Sequence, residues 1–348
     1  MRLGLIPENL IDRVGLATGF PPPAWTEAYA PLYARAIVAA TELGVFDAIG
    51  AGSLSAAEVA TACATDPRAT ERLLNLLVSM RYLRFRDGRY RLAKSTARWM
   101  VSDASDGIRD LVLMKRLEWR WMEGLENYLR SGTPVDVHAT MSSEDWDAYQ
   151  RGMRAQANIA GPRLARLIPV PRGARDMLDI GGSHGYWSVL LCRRHPGLHS
   201  TVFDLPAAVE WAAPILAREG MGDRVVLKAG DALTDDLGRE AYDLIIMFSL
   251  VHHFDDATNR LLVARAGEAL RPGGRMIIFE PLRPPPGRGV QAGPFFDLYF
   301  GMTSESGTWT LDEMTAWQAA AGLRPRSQPF ALRLIGEAGL AIADKPPA

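Results

Sequence analysis

Short apolar runs alternate with amphipathic segments from about Arg175 onward, and this alternation restricts the fold more than any other feature of the chain. Five of the runs have the length and composition of strands: RDMLDI, HSTVFD, DRVVLK, YDLIIMF and RMIIFE. One intervening segment places Leu262, Ala266 and Leu270 on a single helical face. Because strands that alternate with helices build a sheet covered on both faces, we predict an α/β fold with a Rossmann-like, doubly wound parallel sheet.

The last part of the chain continues this pattern less regularly. The stretch PLRPPPGRG, Pro281 to Gly289, predicts an exposed loop because prolines cannot donate backbone hydrogen bonds. The run PFALRLIGEAGLAIAD has the composition of further strand material, and the closing DKPPA predicts a loose tail.

The first hundred residues predict a mainly helical region with one hairpin. Ser55 and Glu58 have the spacing of a capping box, and Asp66-Pro67 has the form of a second helix start. The following run YLRFRDGRYRL alternates apolar and basic residues around an Asp-Gly turn, which predicts a β-hairpin. Two helices followed by a hairpin form the pattern of a winged helix. An apolar stripe from Tyr29 to Ala40 fits either a dimer interface or an intrachain core.

Composition excludes several classes of protein. The formal net charge of −1 gives no overall attraction to nucleic acid or anionic lipid. Cys63 and Cys192 lie far apart without a CxxC spacing, so we expect neither a disulfide framework nor a thiolate zinc site. The N-terminal residues lack the apolar core of a signal peptide, and no apolar run is long enough to span a bilayer. We therefore expect a soluble cytoplasmic protein with no membrane partner.

Acids and glycines cluster where the predicted strands end, which is where ligands bind in open α/β sheets. The first strand ends in MLDIGGSHGYWS, which supplies Asp179, Gly181, Gly182 and Gly185. The next two strands end at Asp204 and Asp231. Glycines let the backbone pass close beneath a ligand, and a carboxylate about 20 residues further on suits a ribose diol.

The form of this glycine loop separates two classes of cofactor. A dinucleotide loop reads GxGxxG, whereas this one reads GGxxG with Asp179 two places before the first glycine. An acid at that position disfavours a pyrophosphate and suits a ligand with an ammonium and a sulfonium. The residues therefore favour S-adenosyl-L-methionine over NAD, and a nicotinamide-dependent oxidoreductase remains the rival enzyme class.

The ordered set of motifs resembles the S-adenosylmethionine-dependent O-methyltransferases of the plant caffeic acid and bacterial antibiotic-tailoring type. The matching segments are ELGVFDAIG, RYRLAKSTARWM, DIGGSHG, FDLP, GDAL, VHHFDD, LRPGGRMIIFE and WTLDEMTAWQAAAGL. The resemblance implies a seven-stranded catalytic sheet and an N-terminal winged-helix-like dimerisation domain. It divides the chain into a dimerisation domain over residues 1–110, a helical linker over 111–165 that contributes to the acceptor pocket, and a catalytic domain over 166–348.

The resemblance also implies roles for individual residues. His252 would be the general base, and Glu280, 28 positions later, would orient it. The implied cofactor-binding residues are Asp179, Gly181, Gly182, Gly185, Asp204, Leu205, Gly230, Asp231, Ala232 and Phe248. The implied acceptor-binding residues are Tyr149, Met153, His253, Phe296 and Thr308.

The adjacent histidines His252 and His253 admit other interpretations. Neighbouring histidines without an HxH or HExxH spacing make a poor metal-ligand set, so we expect no metal. Both could simply lead into the helix that Asp255 or Asp256 begins. If the segment is extended, successive side chains point to opposite sides and only one of the two faces the cavity.

Two departures from the family pattern bear on the reaction. Thr308 stands where many relatives have a second glutamate, with Glu305 nearby but out of register, and Phe248 replaces a frequent lysine. Transfer of methyl to a hydroxyl of a small aromatic or polyketide-like metabolite is the predicted reaction. C- or N-methylation, or use of the cofactor without methyl transfer, is the alternative on the same scaffold.

Partners follow from the same resemblance. We expect a homodimer through the N-terminal domain and a small-molecule acceptor. The rival is a transcription factor that binds DNA with the winged helix, because five arginines from Arg81 to Arg91 lie on or beside the hairpin. Arginines that alternate along a strand more often form a solvated face, and charges from Thr41 to Asp110 are nearly balanced, so we expect no nucleic-acid binding.

Overall fold

The structure is a computed structural model that describes residues 9–20, 22–285, 287, 292–327 and 338–347. Its contacts divide the chain into two compact units, residues 2–116 and residues 117–348. Three residues of the predicted loop from Pro281 to Gly289, and the whole of the run PFALRLIGE, lie outside the described residues.

The first unit consists of short helices and one hairpin. Its helices are α1 Leu10–Thr18, α2 Pro23–Glu27, α3 Ala30–Glu42, α4 Val45–Ile49, α5 Ala56–Ala62, α6 Pro67–Ser79 and α7 Lys94–Trp99. Helix α8, Arg109–Met122, includes the boundary between the units. The hairpin pairs β1 Leu83–Arg86 with β2 Arg89–Leu92 in antiparallel register. The predicted order of helix, helix and hairpin is confirmed in α5, α6 and β1–β2.

Local capping explains where α5 and α6 begin. The Ser55 amide donates to the Glu58 carboxylate at 2.7 Å, and the Glu58 amide donates back to the Ser55 hydroxyl at 3.3 Å. The Asp66 carboxylate accepts from the Ala69 amide at 2.7 Å, with Pro67 in the first turn. Both predicted helix starts are confirmed, because each side chain satisfies an amide that has no partner within its own helix.

Part of the predicted apolar stripe on α3 remains exposed in the single chain. Ala36 and Ala40 are buried in the first unit, whereas Tyr29, Leu32 and Tyr33 are 51%, 62% and 44% exposed. A surface with several exposed large apolar side chains is more often covered by another molecule than left in contact with water.

In the described part of the second unit there are eight further helices and the main sheet. The helices are α9 Leu125–Ser131, α10 Val137–Thr140, α11 Ser143–Leu164, α12 Tyr186–Arg194, α13 Pro206–Arg218, α14 Asp256–Ala269, α15 Ala292–Thr303 and α16 Leu311–Ala320, with 3-10 turns at Gly222–Arg224 and Val251–His253. The strands are β3 Asp176–Ile180, β4 His199–Asp204, β5 Val225–Ala229, β6 Tyr242–Phe248, β7 Leu270–Pro281, β8 Arg324–Arg326 and β9 Ala338–Asp344.

The sheet has seven strands in the order β5-β4-β3-β6-β7-β9-β8. Strands β3 to β7 are parallel, whereas β9 pairs antiparallel with both β7 and β8. The five predicted strands and the seven-stranded sheet are confirmed. The sheet is therefore mixed, with its antiparallel strands at one edge. Strand β8 carries no signal in the sequence because two of its three residues are exposed arginines.

Alternate residues of the central strands pack into two separate cores. In β6, Leu244 and Ile246 face the core that α11, α12 and α13 cover. Ile245 and Met247 face the core that α14 and α16 cover. Since successive strand residues point to opposite faces, an unbroken apolar run such as YDLIIMF requires helices on both faces, which is the doubly wound arrangement.

The topology fixes where a ligand can bind. The order reverses between β3 and β6, and their carboxyl ends open onto the same edge of the sheet. Among the described helices, none combines the length and apolar character that crossing a bilayer requires.

Candidate active site

A cavity of about 790 Å³ lies at the carboxyl ends of the parallel strands. One end is lined by the residues that follow β3, β4, β5 and β6, among them Gly181, Asp204, Asp231 and Phe248. The other end is lined by residues of α10, α11 and α15 and the segment after α15. These two ends are named the strand end and the helix end below.

The glycine loop after β3 leaves no room for side chains. A Cβ on Gly181, whose φ is +66°, would lie 2.6 Å from a Leu250 methyl carbon. A Cβ on Gly182 would lie 2.5 Å from Cγ of Asp179. Gly185 has a φ of +70° and begins α12 without lining the cavity. The first two glycines therefore bring the backbone against the cavity, and the third permits the left-handed turn into the helix.

Asp179 is buried at the floor of the strand end. It is 1% exposed, and its Oδ2 accepts a hydrogen bond from the Ser188 hydroxyl at 2.6 Å. Burial, with a smaller contribution from the charge of Asp204, raises the pKa of Asp179 to about 7. A buried carboxylate without a cationic partner is costly, so a ligand cation placed against it would be strongly favoured.

Asp204 is fixed at the end of β4 by two backbone amides. Its Oδ2 accepts from the Ser183 amide and its Oδ1 from the Leu205 amide, each at 2.7 Å. Both Asp204 and Leu205 line the cavity. The carboxylate therefore faces the glycine loop, which is the position expected for a group that binds a ribose diol.

The remaining strand-end residues complete the wall. Asp231 lines the cavity and its Oδ1 accepts from the Leu233 amide at 2.9 Å. Gly230, Ala232 and Phe248 also line it, and Phe248 packs edge-on against Trp187 with centroids 5.2 Å apart. The structure thus brings together every predicted cofactor residue except Gly185, which acts on the turn behind them.

The strand end fits S-adenosylmethionine better than a dinucleotide. Three carboxylates, those of Asp179, Asp204 and Asp231, line it. Among the described lining residues there is no lysine or arginine that could bind a pyrophosphate. Negative charge beside a closely packed glycine loop is complementary to a ligand that carries an ammonium and a sulfonium.

His252 and Glu280 form a buried pair next to the cavity. Nδ1 of His252 lies 2.9 Å from Oε2 of Glu280, and the residues are 4% and 1% exposed. Oε1 of Glu280 accepts from the backbone amides of Leu250 and Val251 at 2.6 and 2.9 Å. The Phe300 ring stacks on the imidazole at a centroid distance of 3.7 Å. The pair is therefore held rigidly by hydrogen bonds on one side and an aromatic face on the other.

The double histidine is not extended chain, because Val251–His253 form a 3-10 turn. Of the two side chains, that of His253 lines the cavity and that of His252 does not. His253 lines the cavity, and its Nδ1 lies 3.0 Å from the Ser304 hydroxyl. The two imidazole centroids are only 4.3 Å apart. His252 is therefore buried beside a histidine that lines the cavity, without lining the cavity itself.

His138 is a third histidine at this place, and sequence reasoning missed it. It lines the cavity from α10, with its ring 5.2 Å from that of His253 and stacked 5.5 Å from Trp146. Burial lowers the pKa of His138 and lowers that of His253 well below the usual value. No motif surrounds His138 in the sequence, so only the fold could reveal it.

The other predicted acceptor residues divide into two groups. Tyr149, Met153 and Phe296 line the helix end together with Trp146. Thr308 does not line the cavity, because its hydroxyl donates to Asp297 at 2.5 Å and it is 1% exposed. Glu305 lines the cavity with an exposed side chain. The part of the chain that the structure describes contains no group of three acidic, histidine or cysteine side chains placed to hold a metal ion.

Two family models match the chain. One, described as the O-methyltransferase domain, matches residues 120–324. The other, described as the O-methyltransferase dimerisation domain, matches residues 29–103. The first matched range lies within the second unit, and the second matched range lies within the first unit.

Individual proteins agree with these models. A 3-hydroxy-5-methyl-1-naphthoate 3-O-methyltransferase of Streptomyces sahachiroi is 30% identical over 83% of this chain and 85% of its own length. The N,N-dimethyltransferase OxyT of Streptomyces rimosus is 27% identical over 90% of this chain and 93% of its own. The crystal structure of human N-acetylserotonin methyltransferase in complex with SAM has the same fold, with a TM-score of 0.81 at 21% identity over 97% of this chain and 99% of that one. The chain therefore belongs to the O-methyltransferase family and is an S-adenosylmethionine-dependent O-methyltransferase.

Proposed function

We propose that this enzyme methylates a hydroxyl of a small aromatic or polyketide-like molecule and that His252 is its general base. The observation that carries the proposal is the 2.9 Å contact between Nδ1 of His252 and Glu280, buried beside the cavity. The naphthoate 3-O-methyltransferase relative supports an aromatic acceptor. The aromatic lining of the helix end, Trp146, Tyr149 and Phe296, supports it too.

The hydrogen bonds of Glu280 determine which nitrogen of His252 is basic. A carboxylate has no proton to donate, so Nδ1 of His252 carries the hydrogen and donates it to Oε2. The lone pair is then on Nε2, which takes the proton of the acceptor hydroxyl. The resulting imidazolium is stabilised by Glu280, whose charge is held in place by two backbone amides. General base assistance of this type is typically worth ~10²–10⁴-fold in rate.

The cofactor, when bound, supplies an electrophilic methyl group on a sulfonium. We assign its binding to the glycine loop of Gly181 and Gly182, to Asp179 for the ammonium and to Asp204 for the ribose. The adenine would be surrounded by Leu205, Gly230, Asp231, Ala232 and Phe248. Gly185 shapes the loop that the other two glycines form. Holding the reacting atoms in line would contribute a large part of the remaining acceleration.

We assign acceptor binding to Tyr149, Met153, His253 and Phe296, which all line the cavity. The linker predicted over residues 111–165 contributes α10 and α11 to this wall. We expect Thr308 to act through Asp297 and not to touch the acceptor. Glu305, which lines the cavity, is the acid nearest in the chain to the position where many relatives have a second glutamate.

The enzyme is proposed to be a homodimer through its first unit. The match to a dimerisation domain supports this, and so do the exposed side chains of Tyr29, Leu32 and Tyr33 on and beside α3. Burying them against a second copy would remove a large apolar area from water.

Replacing the base tests the assignment directly. We expect His252→Ala to lower kcat by ~10²-fold or more while S-adenosylhomocysteine binds with unchanged affinity, because the ring does not line the strand end. Turnover by radiolabel transfer and calorimetry of the cofactor product measure the two effects. His195→Ala is the control, since His195 lies at the end of α12 outside the cavity lining. Wild-type turnover in His252→Ala would remove the base assignment.

N-methylation is the second candidate, because OxyT is an N,N-dimethyltransferase. Offering matched phenol and aniline acceptors and locating the new methyl by NMR distinguishes the two reactions. Transfer only to nitrogen, independent of His252, would favour this candidate.

A further inference from the structure

The charge of the cavity lining restricts the acceptor more closely than its shape does. Among the described residues that line the cavity, none is a lysine or arginine, whereas five carry carboxylates. Three of those carboxylates belong to the strand end, where a cationic cofactor balances them. The other two, Asp136 and Glu305, lie at the helix end, where the acceptor is proposed to bind.

The two acids are next to the histidine cluster rather than remote from it. Asp136 precedes α10 and acts electrostatically on His138. Glu305 follows Ser304, whose hydroxyl contacts His253. Burial raises the pKa of both Tyr149 and Tyr299, and the charge of a third acid, Glu118, adds a smaller contribution. Among the described residues that line the helix end, the side chains that carry a carboxylate or a permanent positive charge are all acids.

The histidines do not compensate for these acids. Burial lowers the pKa of His138 and His253, so both rings are neutral at pH 7 and bind ligands as hydrogen-bonding groups. The Ser304 hydroxyl engages Nδ1 of His253, and among the described residues Nε2 has no hydrogen-bond partner. These polar groups suit a neutral oxygen or nitrogen of the ligand, whereas an ionised acid would meet no lysine or arginine among the described residues of the lining.

We propose that the acceptor carries no free carboxylate, so that this enzyme takes uncharged or cationic aromatic hydroxyl compounds and rejects the corresponding acids. In this respect it would differ from the naphthoate 3-O-methyltransferase relative, whose named acceptor is an acid. The inference rests on the proposed function, because it places the acceptor at the helix end. Transferring a carboxylate from water to an apolar wall without a cationic partner costs several kcal/mol. Even after solvent screening at the cavity mouth, we expect this cost to appear as a difference of ~ten-fold or more in affinity.

Three probes with one ring system and different charges test the proposal. They are 6-hydroxy-2-naphthoic acid, its methyl ester and 6-(aminomethyl)-2-naphthol, which carry charges of about −1, 0 and +1 at pH 7.5. Calorimetry with the full chain saturated with S-adenosylhomocysteine gives their affinities. We expect the ester and the amine to bind ~ten-fold or more tightly than the acid. The same order in kcat/KM with S-adenosylmethionine checks that the sulfonium charge does not reverse it.

Reversing the charge of Glu305, and of a control acid outside the cavity lining, provides a matched pair of variants. Glu305→Arg should improve binding of the acid by ~three-fold or more and leave that of the ester within ~two-fold, because an exposed charge is partly screened. Glu268→Arg, an equally exposed acid on α14 outside the lining, should change neither.

The outcomes separate this inference from the proposed function. An acid that binds as tightly as its ester, or an acid whose affinity Glu305→Arg leaves unchanged, would overturn the inference while cofactor binding and turnover stand. Failure of both the ester and the amine to bind would also overturn it. Absence of heat on adding S-adenosylhomocysteine alone would instead contradict the cofactor assignment.

Discussion

Single atoms at the floor of the glycine loop decide how closely a ligand can approach the sheet. A methyl group on Gly182 would collide with the Asp179 carboxylate, which is itself held by Ser188. Neither group has free space to move into, because both Asp179 and Ser188 are buried. The geometry of the cofactor site thus depends on one missing side chain as much as on those present.

Gly182→Ala should therefore weaken binding of S-adenosylhomocysteine by ~ten-fold or more. Overpacking at a rigid site typically costs 1–3 kcal/mol, about this change in affinity. Calorimetry measures it, with Gly197→Ala as the control because a Cβ there meets no atom within 4 Å. Equal affinities for the two variants would show that the loop yields easily.

The raised pKa of Asp179 gives cofactor binding a pH dependence. Its pKa of about 7 comes mainly from burial and partly from the charge of Asp204. The ammonium of the ligand binds the ionised carboxylate of Asp179, so below pH 7 the carboxyl group must first lose its proton. We expect affinity for S-adenosylhomocysteine to rise by up to ~eight-fold from pH 6.0 to 7.5, by calorimetry, and Asp179→Asn to abolish most of the rise. A wild-type slope in Asp179→Asn would assign the effect to another group.

The same group affects the stability of the cofactor-free enzyme with the opposite sign. The folded pKa of Asp179 lies above its value in the unfolded chain, so its protonated form stabilises the folded state. That contribution is complete below about pH 4 and is lost as the pH rises through about 7. Asp179→Asn removes this dependence, and thermal unfolding across that range would detect the change.

At the scale of elements, the 3-10 turn Val251–His253 is held from outside. The Asn259 amide on α14 donates to the carbonyls of Val251 and Phe254, both at 2.9 Å, and the Trp309 indole donates to Val251 at 3.0 Å. A turn of three residues has few hydrogen bonds of its own, so these contacts fix the direction in which both histidines point. Asn259 is thus a positioning residue for the proposed base.

Asn259→Ala should lower kcat by ~ten-fold or more in addition to lowering stability by ~1–3 kcal/mol, because the Val251 and Phe254 carbonyls each lose one of their two side-chain donors. Val263→Ala is the matched control on the same helix, since it is equally buried but bonds to neither carbonyl. Both variants are compared well below their melting temperatures, and the pH profile of kcat is recorded. If kcat falls equally in both variants, Asn259 has only a structural role.

For the whole molecule, the exposed side chains on and beside α3 raise the question of assembly. Leu32→Glu and Tyr33→Glu should convert a dimer into monomers of 38.2 kDa. At a symmetric interface each new charge occurs in both copies, and burying these unpaired charges opposes association. Light scattering after size exclusion measures the mass. Leu129→Glu, at a comparably exposed leucine in the second unit, should leave the mass unchanged. Monomeric wild-type protein, or dimeric variants, would contradict the proposed interface.

Much of the fold could be read from the sequence because its signals are local. The strand YDLIIMF is apolar on both faces, and this alone requires a sheet covered by two layers of helices. Ser55 and Asp66 define helix starts through atoms three residues away. In contrast, β8 is short, basic and exposed, so its strand geometry depends on pairing with β9 and not on its own residues.

The sequence by itself determined the alternation of strands and helices, the order of the strand-end acids and glycines, and the presence of a histidine with a later glutamate. Each of these depends on residues close in the chain or on a known order of elements. Only the tertiary structure decided that His138 joins His253, that Thr308 bonds to Asp297 away from the cavity, and that both histidines share one turn. The first two contacts join residues that are 115 and 11 positions apart, whose distances are set by packing between elements and leave no periodic trace in the sequence. The turn itself is held by residues of α14 and by Trp309, which lie outside it.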